Sequence, residues 1–183
     1  MALTQRVIDW QNRGRSVDFR GHQIHVFEQE GEGVPLVMLH GFPSSSYDWQ
    51  PLIERLEGRR ILAFDFLGFG LSDKPRNHVY SLAWQADLAE ELVRSTFPKE
   101  PVSLLAHDMG TSVATELFAR DLERKLGFDL DGALLFNGSI VLAKASLTRS
   151  QKVLRSRFGG LAAKFSSERI FKREFGAIFS PDH

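Results

Sequence analysis

The 183-residue sequence predicts an α/β fold built on a mostly parallel, doubly wound sheet. Three observations carry that prediction. Apolar, strand-length runs recur at Pro35–Leu39, Arg60–Phe64, Val102–Ala106 and Ala133–Phe136, with helical patterns between them. Continuous apolar strands of this kind imply a sheet covered on both faces. A strand also meets a helix at Asp108 through a turn flanked by small residues, Ala106 and Gly110. Finally, the character of the chain changes after Gly138, from alternating elements to a basic, helix-patterned stretch.

In chain order, Ser16–Phe19 and Ile24–Glu28 read as a short hairpin around Arg20-Gly21-His22. Pro35–Leu39 is a buried strand. Tyr47–Leu56 reads as a helix with Trp49, Leu52, Ile53 and Leu56 on one face. Arg60–Phe64 is the next strand, followed by a helix over Leu82–Thr96 with Leu82, Leu88, Leu92 and Val93 apolar and Glu90 and Glu91 exposed. Val102–Ala106 leads into a helix of about Met109–Leu126, and Ala133–Phe136 is a further strand. Residues 1–138 are thus read as one region and residues 139–183 as another. The second holds nine basic residues against Glu168, Glu174 and Asp182, a solvated outer face. Two apolar stripes run through it: Val153, Leu154, Phe158, Leu161 and Phe165, then Phe171, Phe175, Ile178 and Phe179.

Composition excludes several classes. Twenty-three basic residues balance 23 acidic ones, so no global field points to nucleic acid or to an anionic membrane. There is no cysteine, hence no disulfide framework and no thiol chemistry. The sequence Met-Ala-Leu-Thr-Gln-Arg lacks the basic-then-apolar layout of a signal peptide, and no apolar run reaches membrane-spanning length. The expectation is a cytoplasmic globular protein without membrane, nucleic-acid, metal or cofactor partners. Its oligomeric state is not legible.

The chemistry is concentrated in Ala106-His107-Asp108-Met109-Gly110. Small residues two before and two after Asp108 have the spacing of a nucleophile elbow, which bends the backbone sharply enough to present its central side chain. Most such turns carry Ser. A carboxylate there needs no proton removed and suits direct attack on carbon, at an alkyl halide or an epoxide. Aspartate is also favoured as an acidic cap at a helix N-terminus, a role compatible with the first.

Ala-His-Asp-Met-Gly resembles the Gly-His-Asp-Trp-Gly elbow of the epoxide hydrolase and haloalkane dehalogenase branch of the α/β-hydrolases. Leu39-His40-Gly41-Phe42-Pro43 is similar to that family's His-Gly-x-Pro oxyanion loop. Asp65-Phe66-Leu67-Gly68-Phe69-Gly70-Leu71-Ser72-Asp73-Lys74-Pro75 is similar to its Asp-x-x-Gly-x-Gly-x-Ser turn. Ser45-Ser46-Tyr47-Asp48-Trp49 and Asp-Phe-Leu-Gly-Phe-Gly also resemble the mesoderm-specific transcript proteins, a related branch. The resemblance spans roughly residues 15–183 and implies an α/β-hydrolase fold whose helical cap starts near residue 139. It implies Asp108 as nucleophile, forming a covalent alkyl-enzyme ester, with backbone N–H groups of Phe42 and Met109 as the oxyanion hole. It places Phe42, Met109, Phe175 and Phe179 around a small apolar substrate. The cap aromatics have a plainer reading as packing of cap on core.

The same resemblance exposes gaps. The family's base histidine follows the last sheet strand, and its acid follows the sixth or seventh. Leu134-Leu135-Phe136-Asn137-Gly138 offers Asn137 rather than an acid. His40 is read as holding the oxyanion loop by hydrogen bonds, and His107 as turned away from Asp108 in a structural or oxyanion-loop contact. His22, His25 and His78 are read as surface residues. The expectation is an amino-terminal portion that ends inside the cap, lacks the C-terminal strands and is catalytically incomplete. The remainder would come from further polypeptide or from another chain.

Three tempting sites are set aside. Ser112, in Gly110-Thr111-Ser112-Val113-Ala114, falls inside the helix pattern beyond the bend. Asp65 and Asp73 are read as hydrogen-bonding to loop backbone. Gly68-x-Gly70 lacks the third glycine and the strand–helix context of a dinucleotide site. On substrate, haloalkane dehalogenases hold the halide with side-chain N–H donors, which neither Met109 nor Phe42 provides. Epoxide hydrolases use cap tyrosines, whereas Tyr47 and Tyr80 lie in the core portion. An epoxide hydrolase-like activity leads, with a haloalkane dehalogenase-like hydrolase and a non-catalytic interaction protein as alternatives.

Overall fold

A computed structural model describes residues 3–138 and, beyond them, residues 152, 153, 156, 157, 159, 160, 167 and 169. The chain divides into two compact units, Met1–Ile140 and Val141–His183. Phe175 and Phe179, and the two stripes expected between residues 153 and 179, lie outside the described residues save for Val153.

In the first unit, helix α1 (Gln5–Arg13) precedes strands β1 (Arg15–Phe19), β2 (His22–Gln29) and β3 (Glu32–Leu39). A 3-10 turn (Ser46–Trp49) runs into the short helix α2 (Gln50–Ile53). Strand β4 (Arg59–Phe64), helix α3 (Leu82–Thr96), strand β5 (Val102–His107), helix α4 (Met109–Leu122) and strand β6 (Leu130–Phe136) follow. The sheet order is β1-β2-β4-β3-β5-β6. β1 and β2 attach antiparallel, and β4, β3, β5 and β6 are mutually parallel.

Successive strand residues point to opposite faces, and both faces of the central strands are covered, while β6 is largely exposed. Val37, Leu39, Leu62, Phe64, Leu104 and Ala106 face α3 and α4 in one core. Met38, Ile61, Ala63 and Leu105 face Trp10, Trp49 and Ile53 in the other. This two-sided cover explains why the central strands read as unbroken apolar runs. It also buries His25 with its β2 neighbours Ile24, Val26 and Phe27. His25 is therefore not a surface residue, and burial lowers its pKa. His22 and His78 are half-buried, stacked edge-on with each other and packed beside Trp84.

The expected helix over residues 47–56 is instead a 3-10 turn followed by a single α-turn. Pro51 has no N–H to give the Tyr47 carbonyl, so an α-helix cannot run through it, and Gln50 N donates to Tyr47 O instead. Trp49 and Ile53 are buried as expected, while Leu52 faces solvent. Helix α4 ends at Leu122 rather than Leu126, because Arg124 turns to φ 56°. Helix α1 is an element the sequence reading lacks. Trp10, stacked on Phe27 at 4.8 Å, is its sole buried residue, too little for a recognisable stripe.

Candidate active site

Strand β5 ends at His107, and α4 begins at Met109, so a single residue makes the turn. That residue, Asp108, has φ 47° and ψ −119°, a conformation most residues avoid at about 1–3 kcal/mol. The turn is held from behind, where Thr111 Oγ1 and N both donate to the Asp108 carbonyl at 2.7 and 3.1 Å. The carboxylate makes no cap hydrogen bond to α4. It accepts instead from Phe42 N, at 2.7 Å to Oδ1. The capping role is therefore not what the side chain does in this structure.

Two glycines make the approach possible. A Cβ on Gly41 would fall 2.6 Å from the Asp108 Cβ, and one on Gly110 would fall 2.3 Å from the Leu39 carbonyl oxygen. The end of β3 and the start of α4 thus touch backbone to backbone. Met109 N occupies the first position of α4, where an amide has no intrahelical acceptor. Phe42 N and Met109 N therefore sit on the two segments flanking the Asp108 side chain. Ser112 lies half-buried within α4, apart from this turn.

Behind the loop, His40 is fully buried and uses both ring nitrogens. Nδ1 lies 2.8 Å from the Gly41 carbonyl, and Nε2 accepts from Phe66 N at 3.0 Å. This pattern requires the neutral ring protonated at Nδ1. Burial, the largest influence, lowers the His40 pKa, and the nearby Asp65 opposes it. Asp65 is also fully buried and accepts from Ser46 N, Ser46 Oγ and Leu71 N at 2.7, 2.6 and 2.6 Å. Gly70, at φ 49°, leaves room for it, since a Cβ there would sit 2.0 Å from Asp65 Oδ2. Asp73 accepts from Gln23 N at 2.7 Å. Asp65 thus binds loop backbone, as expected from the sequence, whereas Asp73 holds the backbone of strand β2. The His107 ring stacks on Phe136 and meets Trp49 edge-on, with Nε2 3.5 Å from Asp48 Oδ2.

A cavity of about 420 Å³ opens beside the elbow, lined by Phe42 and Met109 together with Gly68, Phe69, Tyr80, Leu82 and others. Its polar side chains are engaged. Tyr80 OH donates to the Pro75 carbonyl at 2.8 Å, Ser81 Oγ caps α3, and Gln85 exchanges two bonds with the Leu67 backbone. The sequence reading placed Phe42 and Met109 here but not Phe69, Tyr80 or Leu82. The one available signal was the position of Tyr80-Ser81 at the start of α3. A depression of about 450 Å³ elsewhere is lined by charged groups, with Arg120 paired to Asp87 and Glu90 at 2.8 and 3.1 Å, and has no part in this arrangement. Among the described residues, no group of three or more His, Asp or Glu is placed to hold a metal, and no helix is long and apolar enough to cross a membrane.

Residues 34–155 match the family model described as the alpha/beta hydrolase fold, which is 122 of 183 residues. The chain belongs to the α/β-hydrolase fold family. It is 50% identical over 177 residues to the LipZ protein of Mycobacterium tuberculosis H37Rv, covering 97% of this chain and 61% of that one. It is 35% identical over 192 residues to the mouse mesoderm-specific transcript protein, covering 98% and 56%. Among solved structures, the haloalkane dehalogenase DatA of Agrobacterium tumefaciens C58 superposes with a TM-score of 0.64 at 27% identity, covering 90% of this chain and 53% of that one. The chain thus spans about three fifths of the length of LipZ. In this member of the α/β-hydrolase fold family the turn at Asp108, the loop of residues 40–43 and the Gly68–Gly70 turn meet at one end of the parallel strands.

Proposed function

We propose that Asp108 is the nucleophile of a covalent hydrolase reaction, with epoxides as the preferred substrate class. The observation that carries this reading is the Asp108 carboxylate, held at a strained strand-to-helix turn by the Phe42 amide. One carboxylate oxygen attacks a ring carbon and the carbon–oxygen bond of the epoxide breaks. The released alkoxide takes a proton from water, leaving a hydroxyalkyl ester on Asp108. Water attack on that ester carbonyl builds an oxyanion within reach of the Phe42 and Met109 amides. The apolar cavity wall of Phe42, Phe69, Leu82 and Met109 suits a small alkyl or aryl substituent.

Hydrolysis of the ester needs a base to deprotonate the water. The two histidines beside the elbow are committed elsewhere, His40 through both ring nitrogens and His107 to Asp48 and its aromatic stack. Neither is free to serve as that base, and where no other group serves, the ester on Asp108 is expected to be long-lived.

The likeness to a haloalkane dehalogenase supports a second reading, displacement of halide by the same carboxylate. A departing halide needs N–H donors, and Met109 and Phe42 offer none from their side chains. Purified protein incubated with styrene oxide is expected to form a covalent adduct, while 1-bromobutane releases little bromide. Met109→Trp adds an indole N–H at the elbow and is expected to raise bromide release. Brisk bromide release by the unaltered chain would overturn the preference for epoxides. Inertness to both reagents in a folded protein would favour a non-catalytic relative.

A further inference from the structure

His107 and Asp48 form a pair that the proposed reaction does not use. His107 is the last residue of β5, and Asp48 lies in the 3-10 turn that follows the loop carrying Phe42. Their side chains meet at 3.5 Å, Nε2 to Oδ2, with the His107 side chain 20% exposed. On its other side the ring presses on the loop itself. A Cβ added to Gly41 would fall 2.9 Å from both His107 Nδ1 and Cε1. The ring is clamped further by Phe136, nearly parallel at 5.8 Å, and by the edge contact with Trp49 at 4.9 Å. Gly41 in turn carries the carbonyl that lies 2.8 Å from His40 Nδ1, and it precedes the amide that holds Asp108.

We infer that His107, anchored by Asp48, is a positioning residue that sets Gly41 and, through it, the Phe42 N–H against the Asp108 carboxylate. The ring acts as a spacer between the elbow strand and the loop, and Asp48 fixes its rotation. Without the anchor the imidazole can turn about its side-chain torsions, and the contact surface for Gly41 changes. A hydrogen bond of 2.7 Å is sensitive to such a shift, because its strength falls steeply with distance and angle. The groups facing His107 are Asp48 and Trp49 from the 3-10 turn, Phe136 from β6, and Gly41 from the loop. His40 lies close enough to feel the charge of Asp48. The inference rests on Asp108 being the nucleophile only where it predicts rates. The contact itself is independent of any reaction.

The test therefore has two arms. In the first, the amide resonance of Phe42 is followed by 15N–1H NMR in the unaltered chain, Asp48→Ala, His107→Ala and His107→Gln. A carboxylate-bound amide resonates downfield. Asp48→Ala and His107→Ala are expected to move it upfield, and His107→Gln, which offers Asp48 an N–H donor, to move it less than His107→Ala does. In the second arm, the styrene oxide labelling rate is expected to fall about tenfold to a hundredfold in both alanine variants with the half-saturating concentration unchanged. The double variant is expected to lose no more than either single one, as for residues acting as a unit. Should His107→Ala fail to fold, Asp48→Ala carries the test alone, since the Asp48 side chain is 38% exposed. An unmoved Phe42 resonance in folded Asp48→Ala overturns the inference. A shifted resonance in a protein that never labels supports it and counts instead against Asp108 as nucleophile.

Discussion

Asp108→Asn is expected to abolish covalent capture of styrene oxide, with a labelling rate lowered by at least about a thousandfold. The amide has no anionic oxygen to attack carbon. The geometry, by contrast, is expected to survive. Asn tolerates positive φ better than most residues, and its Oδ1 can still accept from Phe42 N. A loss of labelling with an unchanged thermal melt therefore separates chemistry from folding. Retention of labelling in folded Asp108→Asn would move the reactive group elsewhere.

Asp65→Ala is expected to be the most damaging change for stability. It removes the acceptor for Ser46 N, Ser46 Oγ and Leu71 N in a fully buried place. Each orphaned buried donor costs about 1–3 kcal/mol, so a total near 3 kcal/mol is a lower estimate. For a chain of this size that corresponds to a Tm lower by about 6–12 °C, readable by calorimetry or circular dichroism. Asp65→Asn keeps one acceptor oxygen and is expected to lose less. A melt unchanged in Asp65→Ala would show that the Gly68–Gly70 turn stands without its buried carboxylate.

These two aspartates also mark what was legible in the sequence. Asp108 was legible because an elbow imposes small residues at fixed offsets, and Asp65 because it opens a glycine-rich turn whose backbone donors need an acceptor. The central parallel strands β4, β3 and β5 were legible because cover on both faces makes most of their positions apolar, whereas β6 was legible only from its apolar run and is largely exposed. That same cover hid His25, since a strand buried on both faces gives its histidine no outward side. Residues 47–56 misled because Trp49, Leu52, Ile53 and Leu56 keep helical spacing while Pro51 removes the N–H the helix needs. The His107–Asp48 contact joins residues 59 positions apart, and no local pattern announces it. The wall of Phe69, Tyr80 and Leu82 likewise forms only when the turn after β4 folds against α4.

The β6 strand bears on how the chain is handled in such experiments. Leu134 and Phe136 on it are 63% and 41% exposed, and exposed apolar groups on a strand favour association. The labelling measurements therefore belong at low protein concentration, with the monomer fraction checked by ultracentrifugation.

The central claim is that the Asp108 carboxylate is the group that bonds to substrate carbon. Its most direct test is intact-mass analysis of the unaltered, folded chain after exposure to styrene oxide, followed by peptide mapping of the adduct. The expected result is a single hydroxyalkyl ester localised to Asp108. Adducts on other side chains, with the Asp108 peptide unmodified, would contradict it.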